Sequence, residues 1–118
     1  MNMAEALLAA AVTGAVVSLV ATPWVGRLAA AWGAMDHPSA RKVHRRPTPR
    51  WGGIAVFLGW VAALGAAALC DRSSSVFRFS DSVPLILLAA GALMFGIVDD
   101  LGRLTSRAKL WGQLLLGI

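Results

Sequence analysis

The sequence predicts an all-α, polytopic membrane protein with three full spans and the start of a fourth. Three observations carry this. The chain has 118 residues, of which 58% are hydrophobic and only 14% charged, whereas soluble domains carry roughly a quarter charged residues. The charges are nearly absent from three long stretches and crowded between them, which is the pattern of a bilayer-spanning chain. The net charge of +5 sits in the polar segments between those stretches. Membrane topology accounts for it there, so nucleic acid is not an expected partner.

The first span runs roughly from Ala6 to Trp24, with Glu5 and Arg27 as its flanking charges. At about 1.5 Å per residue it matches a hydrocarbon core of about 30 Å. No basic region precedes it, which argues against a secretory signal peptide. A hydrophilic loop follows from about Arg27 to Arg50, amphipathic at first (Leu28, Ala29, Trp32, Met35) and then basic and proline-containing. The second span, about Trp51 to Cys70, carries Gly53, Gly59 and Gly65, residues suited to close helix packing in lipid. The single cysteine, Cys70, has no intrachain partner and reads as a small hydrophobe. A short polar connection, Asp71 to Ser82, leads to a third span at about Val83 to Val98, with Pro84 placed as a first-turn proline. A second polar loop, Asp99 to Lys109, precedes the apolar stretch Leu110 to Ile118. That stretch is too short to cross a bilayer, so the chain is expected to be the amino-terminal part of one larger, membrane-embedded domain.

Lys and Arg counts set the expected orientation. The first loop has Arg27, Arg41, Lys42, Arg45, Arg46 and Arg50; the middle connection has Arg72 and Arg78; the last loop has Arg103, Arg107 and Lys109. The amino terminus is then outside, and the first and last loops are cytoplasmic, on one side of a plasma (inner) membrane.

Two constellations could carry chemistry. The first is the loop from Asp36 to Gly53, with three prolines, two histidines, a basic cluster and a Gly-Gly pair entering a membrane helix. Prolines lower the entropy lost on ordering a loop. Arg and Lys supply forked and point-like donors for phosphate, so the loop suits a pyrophosphate or a lipid phosphate. A positive-inside loop resting on anionic headgroups is the simpler alternative. His37 and His44, seven apart with no cysteine nearby, do not read as a zinc site; His44, beside Lys42, suits a hydrogen-bonding role.

The second constellation is Asp99-Asp100 at the carboxyl end of the third span. The helix dipole disfavours an acid there by about 0.3–1 kcal/mol, and each acid repels the other. A hard cation is the natural compensator, since Mg²⁺ takes one or two carboxylates together with phosphate oxygens and water. Solvated aspartates screened by Arg103, Arg107 and Lys109 are the alternative. Gln113 lies one helical turn after Lys109, on the same face.

Together these residues resemble the polyprenyl-phosphate N-acetylhexosamine-1-phosphate transferase family. The matching features are Asp36 and Pro38, Arg41-Lys42 and His44, the Pro-Arg-x-Gly-Gly run from Pro49 to Gly53, Asp99-Asp100, and Lys109 with Gln113. Two motifs in order, separated by one membrane hairpin, are more specific than either alone. The resemblance is nearer to the bacterial undecaprenyl-phosphate GlcNAc-1-phosphate transferases. The phospho-MurNAc-pentapeptide transferases usually have Thr-Pro-Thr-Met-Gly-Gly where this chain has Thr-Pro-Arg-Trp-Gly-Gly, from Thr48 to Gly53.

The resemblance implies a fold of about ten membrane helices, a cytoplasmic site, Mg²⁺ (or Mn²⁺), and a homodimeric full-length protein. It implies attack of undecaprenyl phosphate on a UDP-N-acetylhexosamine with release of UMP, in cell-envelope polysaccharide synthesis. Asp99 and Asp100 are then the catalytic and metal-binding residues, and Lys42, His44, Arg50 and Lys109 contact substrate. Family members are roughly three times longer, so this segment alone is expected to be inactive. The competing reading from a different class is a small, non-catalytic membrane scaffold that binds anionic lipid.

Overall fold

The computed structural model describes residues 3–37, 47–70, 79–102 and 104–117. Four helices follow one another: α1 (Met3–Ala31), α2 (Gly52–Cys70), α3 (Phe79–Asp100) and α4 (Ser106–Gly117). Two short strands, β1 (Met35–Asp36) and β2 (Thr48–Pro49), pair antiparallel between α1 and α2, with Met35 opposite Pro49 and Asp36 opposite Thr48. The all-α membrane architecture holds, with α1, α2 and α3 each long and apolar enough to cross a bilayer.

The expected spans are all present, but α1 and α3 overrun their expected boundaries at both ends. α1 continues past Trp24 to Ala31, through Pro23. Its 29 residues make a rod of about 44 Å against a core of about 30 Å, so the helix extends beyond its apolar part. Arg27 lies over the ring of Trp24, 5.2 Å from its centroid, an arrangement typical of a membrane–water boundary. α3 begins at Phe79 rather than Val83, so Pro84 lies in the second turn and not the first. It has no N–H to offer the carbonyl four residues back; Asp81, in the first turn, favours the helix start through the dipole.

The tightest packing is between α1 and α2, which run antiparallel and share the largest interface in the fold. Small residues line both sides. A Cβ added to Gly59 would lie 2.6 Å from the Gly14 carbonyl oxygen, and one added to Gly14 would lie 3.1 Å from the Ala63 Cβ. Between them the Ser18 hydroxyl donates to the Ala55 carbonyl at 2.9 Å. Close backbone approach and an interhelical hydrogen bond are the means by which helices associate in lipid, where apolar side chains gain little by leaving the solvent.

Buried side chains are few, and none of the described ones is polar. The largest cluster lies at the end of the bundle that carries the Asp36–Arg50 loop: Val25, Ala29, Ala34, Trp51 and Ala55, with Ile97 and Leu101 packed against them; Ala6, Ala10 and Ala67 are buried toward the other end. Most large apolar side chains of α1 and α3 face outward, Leu8, Leu19 and Leu87 among them. That inverted pattern suits lipid or further helices as the surroundings.

Candidate functional site

The connectivity brings four element ends to one place: the end of α1, the start of α2, the end of α3 and the start of α4. α1 closes with Gly33 in the left-handed region (φ 73°). The Ala34 N–H then bonds the Ala29 carbonyl at 2.8 Å and the Gly33 N–H bonds that of Ala30 at 3.3 Å, the paired bonds of a Schellman cap. Gly102 at the end of α3 is likewise left-handed (φ 68°), its N–H reaching the Asp99 carbonyl at 2.9 Å. Each glycine turns the chain sharply, so the residues beside it stay at the bundle end.

Asp99 and Asp100 are the last two residues of α3, where the sequence places them. Being consecutive, they point about 100° apart around the helix, and they have different neighbours. Asp99 Oδ1 is buried and meets Lys109 Nζ of α4 at 2.5 Å. The oxygen lacks a well-aligned hydrogen bond, so the contact is best described as an ion pair set by distance. Asp99 also lines a cavity of about 430 Å³ between α3 and α4, together with Phe95 and Gln113. Asp100 turns to the other side and lines a cavity of about 210 Å³ with Arg50, Trp51, Ile54 and Leu93.

Lys109 owes its position to the local fold of α4. Thr105 caps that helix: its hydroxyl accepts from the Ala108 N–H at 3.4 Å and its carbonyl from the Lys109 N–H at 3.0 Å. The polar loop expected from Asp99 to Lys109 is therefore shorter, because both of its ends are helical.

Arg50 is the hub. Its NH2 nitrogen donates to Asp36 Oδ1 at 2.7 Å, and its backbone N–H donates to the Ala34 carbonyl at 3.0 Å. The hydrogen bond to Asp36 raises the guanidinium pKa above its already high value; burial opposes that rise, and the charges of Asp36, Asp100 and Asp99 add to it. Arg50 thus lies within electrostatic reach of both acids of α3. The next residue, Trp51, is 5% exposed and packs against Trp32 with ring centroids 6.2 Å apart. Its buried indole Nε1 has no hydrogen-bond acceptor among the described residues.

Of the residues the sequence singles out, the fold brings Arg50, Asp99, Asp100 and Lys109 together. Lys42 and His44 lie outside the described residues. The two described cations among these, Arg50 and Lys109, each hold a carboxylate. Sequence reasoning gave Asp36 and Trp51 no role in building the site. The available signal was an acid and a base bracketing the loop, with an aromatic residue just before the glycine pair.

A metal finds a partial donor set here. Among the described residues no group of three or more His, Cys, Asp or Glu converges on a point, but Mg²⁺ needs only one or two carboxylates if phosphate and water fill the rest of its shell. Asp99 and Asp100 line different cavities, so either cavity offers a metal one carboxylate, the lower end of that requirement.

Comparison with known proteins gives consistent results. The chain is 36% identical to the decaprenyl-phosphate N-acetylglucosaminephosphotransferase of Mycolicibacterium smegmatis, over 86% of this chain and 25% of that protein. It is 36% identical to the probable undecaprenyl-phosphate N-acetylglucosaminyl 1-phosphate transferase of Bacillus subtilis, over 85% of this chain and 26% of that protein. This segment belongs to the polyprenyl-phosphate N-acetylhexosamine-1-phosphate transferase family. A phospho-N-acetylmuramoyl-pentapeptide-transferase of Frankia casuarinae is 32% identical over 95% of the transferase segment and 34% of that protein. The segment spans about a quarter of the length of the N-acetylglucosamine-type relatives it matches. No family model matches it, and no solved structure does.

Proposed function

We propose that this segment supplies part of the active site of an enzyme that transfers GlcNAc-1-phosphate from UDP-GlcNAc to a polyprenyl phosphate, releasing UMP. The observation that carries the proposal is the meeting of the two sequence motifs at one bundle end, with Arg50 and Asp100 on one cavity and Asp99 paired to Lys109. The activities for which the relatives are named agree with it. On this reading the bundle end faces the cytoplasm, where the nucleotide sugar is found, and the amino terminus lies outside the plasma membrane.

The reacting groups are anionic, so the site's main task is to hold phosphates near each other. A phosphate monoester has its second pKa near 6 and is mostly dianionic at pH 7. A general base adds little to such a nucleophile; positioning and charge stabilisation do more. Asp99 and Asp100 would hold Mg²⁺, which would supply positive charge to offset that of the phosphates. Arg50, Lys109 and, from the sequence, Lys42 and His44 would contact phosphate or sugar.

The test is transfer by membranes in which this chain replaces the matching segment of the Bacillus subtilis relative. UMP release and labelled polyprenyl-diphosphate GlcNAc are expected. D100N should lower transfer by at least about ten-fold and raise the Mg²⁺ requirement, with no recovery at higher pH. Full activity with both aspartates replaced by alanine would eliminate the proposal, and recovery of D100N at high pH would show that the acid acts as a base. The similarity to the Frankia protein makes UDP-MurNAc-pentapeptide the second donor to assay.

A further inference from the structure

Asp36 and Arg50 bracket the basic loop, fourteen positions apart in sequence and 2.7 Å apart in space. The pairing beneath them is slight: a ladder of two residues per strand, one of them Pro49, which has no N–H to give. Two-stranded pairings of that length are marginal alone, so something else must hold the loop's ends. The described contacts are the Asp36–Arg50 ion pair, the Arg50 N–H on the Ala34 carbonyl, and the burial of Trp51 immediately afterwards. Pro49 also lies close to Gly26, 3.6 Å from where a Cβ would stand, so β2 rests on α1.

Arg50 feels three acids, Asp36, Asp100 and Asp99, but its hydrogen bond goes to Asp36. A guanidinium released from Asp36 would be drawn to Asp100, the acid that shares its cavity. Asp36 therefore does two things at once: it closes the loop's base, and it keeps the charge of Arg50 from being spent on Asp100.

We propose that Asp36 is a positioning residue that acts through Arg50, fixing the guanidinium at the edge of the Asp100 cavity where it can meet a phosphate of the nucleotide-sugar substrate. The substrate part of this rests on the proposed function; the clasp itself does not. Arg50 NH2 is committed to Asp36, while NH1 and Nε make no hydrogen bond among the described residues. That leaves an edge of the fork for an anion.

The experiment has two arms. The first uses the 118-residue chain in nanodiscs and reads amide hydrogen exchange at Met35, Asp36, Thr48 and Arg50. D36N and R50Q should each speed exchange at these amides by about two- to five-fold, as expected for a half-exposed pair, and the swap D36R/R50D should restore protection. Unchanged exchange in D36N would overturn the clasp. The second arm measures transfer in the chimera described above. D36N should raise KM for the UDP-sugar about five- to ten-fold with a smaller effect on kcat, and D36N/R50Q should be no worse than R50Q alone. Losses that multiply in the double variant would show Asp36 acting independently of Arg50 and would overturn the positioning role. A chimera that transfers nothing with the unaltered segment would count against the proposed function, leaving the exchange arm to judge the clasp.

Discussion

Replacing Gly59 with alanine should destabilise the α1–α2 pair, whereas the same change at Gly65 should not. An added Cβ at Gly59 would collide with the Ser18 hydroxyl and lie 2.6 Å from the Gly14 carbonyl oxygen; at Gly65 nothing lies within 4 Å. The backbone oxygen cannot rotate away. Reaching ordinary contact means moving the helices apart by about 0.8 Å, which stretches the 2.9 Å bond from Ser18 to Ala55 beyond useful length. Overpacking of this kind costs about 1–3 kcal/mol, and the lost interhelical hydrogen bond about 0.6 kcal/mol in a membrane protein. Alanine's better helix propensity offsets at most about 1 kcal/mol. The net for G59A is about 0.5–3.5 kcal/mol of destabilisation, against neutrality or a slight gain for G65A. Equilibrium unfolding in mixed micelles, followed by tryptophan fluorescence, measures both. The reasoning fails if G59A proves as stable as G65A, since that would mean the helices are not in the contact described.

Three further outcomes are expected. G33A should cost about 1–2 kcal/mol in the same unfolding assay, because alanine is strained at φ 73° although the space is open; G33N should cost less. K109M and D99N should each destabilise by about 0.2–1 kcal/mol, a range discounted for a pair that is 44% and 33% exposed, and the double variant should lose less than the sum of the two; a cycle with additive losses would show that the 2.5 Å contact carries no coupling. Cys70, the single cysteine, sits at the end of α2 away from the site. In intact cells an impermeant maleimide should label it, and should not label R50C made in a C70S background; labelling in the reverse order would invert the orientation.

The sequence showed where the helices lie more clearly than what joins them. Each span is marked by a run without charges, and that signal survives ignorance of everything else because lipid demands it. The acids were legible for the opposite reason: two adjacent carboxylates at a helix end stand out against an apolar background. The hairpin from Met35 to Pro49 was not legible. Strands of two residues have no alternation to detect, and a proline in one of them argues against a strand. The overrun of α1 to Ala31 was hidden because Arg27 marks where the apolar part ends, not where the helix ends. The partners of Arg50 and Lys109 were hidden because an ion pair formed across a loop or between helices leaves no local spacing to find. The bracketing of a basic loop by Asp36 and Arg50 was visible, but without the fold nothing connects the two.

The placement of charge relative to the helix dipoles separates the two ends of the bundle. At the end remote from the loops, Glu5 and Asp81 lie in the first turns of α1 and α3, where acids stabilise a helix. At the loop end most charges are on the wrong side of that rule. Asp99 and Asp100 close α3, Lys109 lies near the start of α4, and Arg50 immediately precedes α2; Arg27, a turn before the end of α1, is the favourable exception. Each misplaced charge costs about 0.3–1 kcal/mol against its own helix. Three of them are offset by pairing across elements, Asp99 and Lys109 with each other and Arg50 with Asp36. Asp100 has no ion pair of its own among the described residues and shares its cavity with the Arg50 guanidinium. Helix stability would have favoured the opposite arrangement at every one of these positions. Charges set against their dipoles, paired until one acid and one committed cation remain facing a cavity, have no reason in helix stability alone; the proposed binding of a metal and a phosphate would supply one.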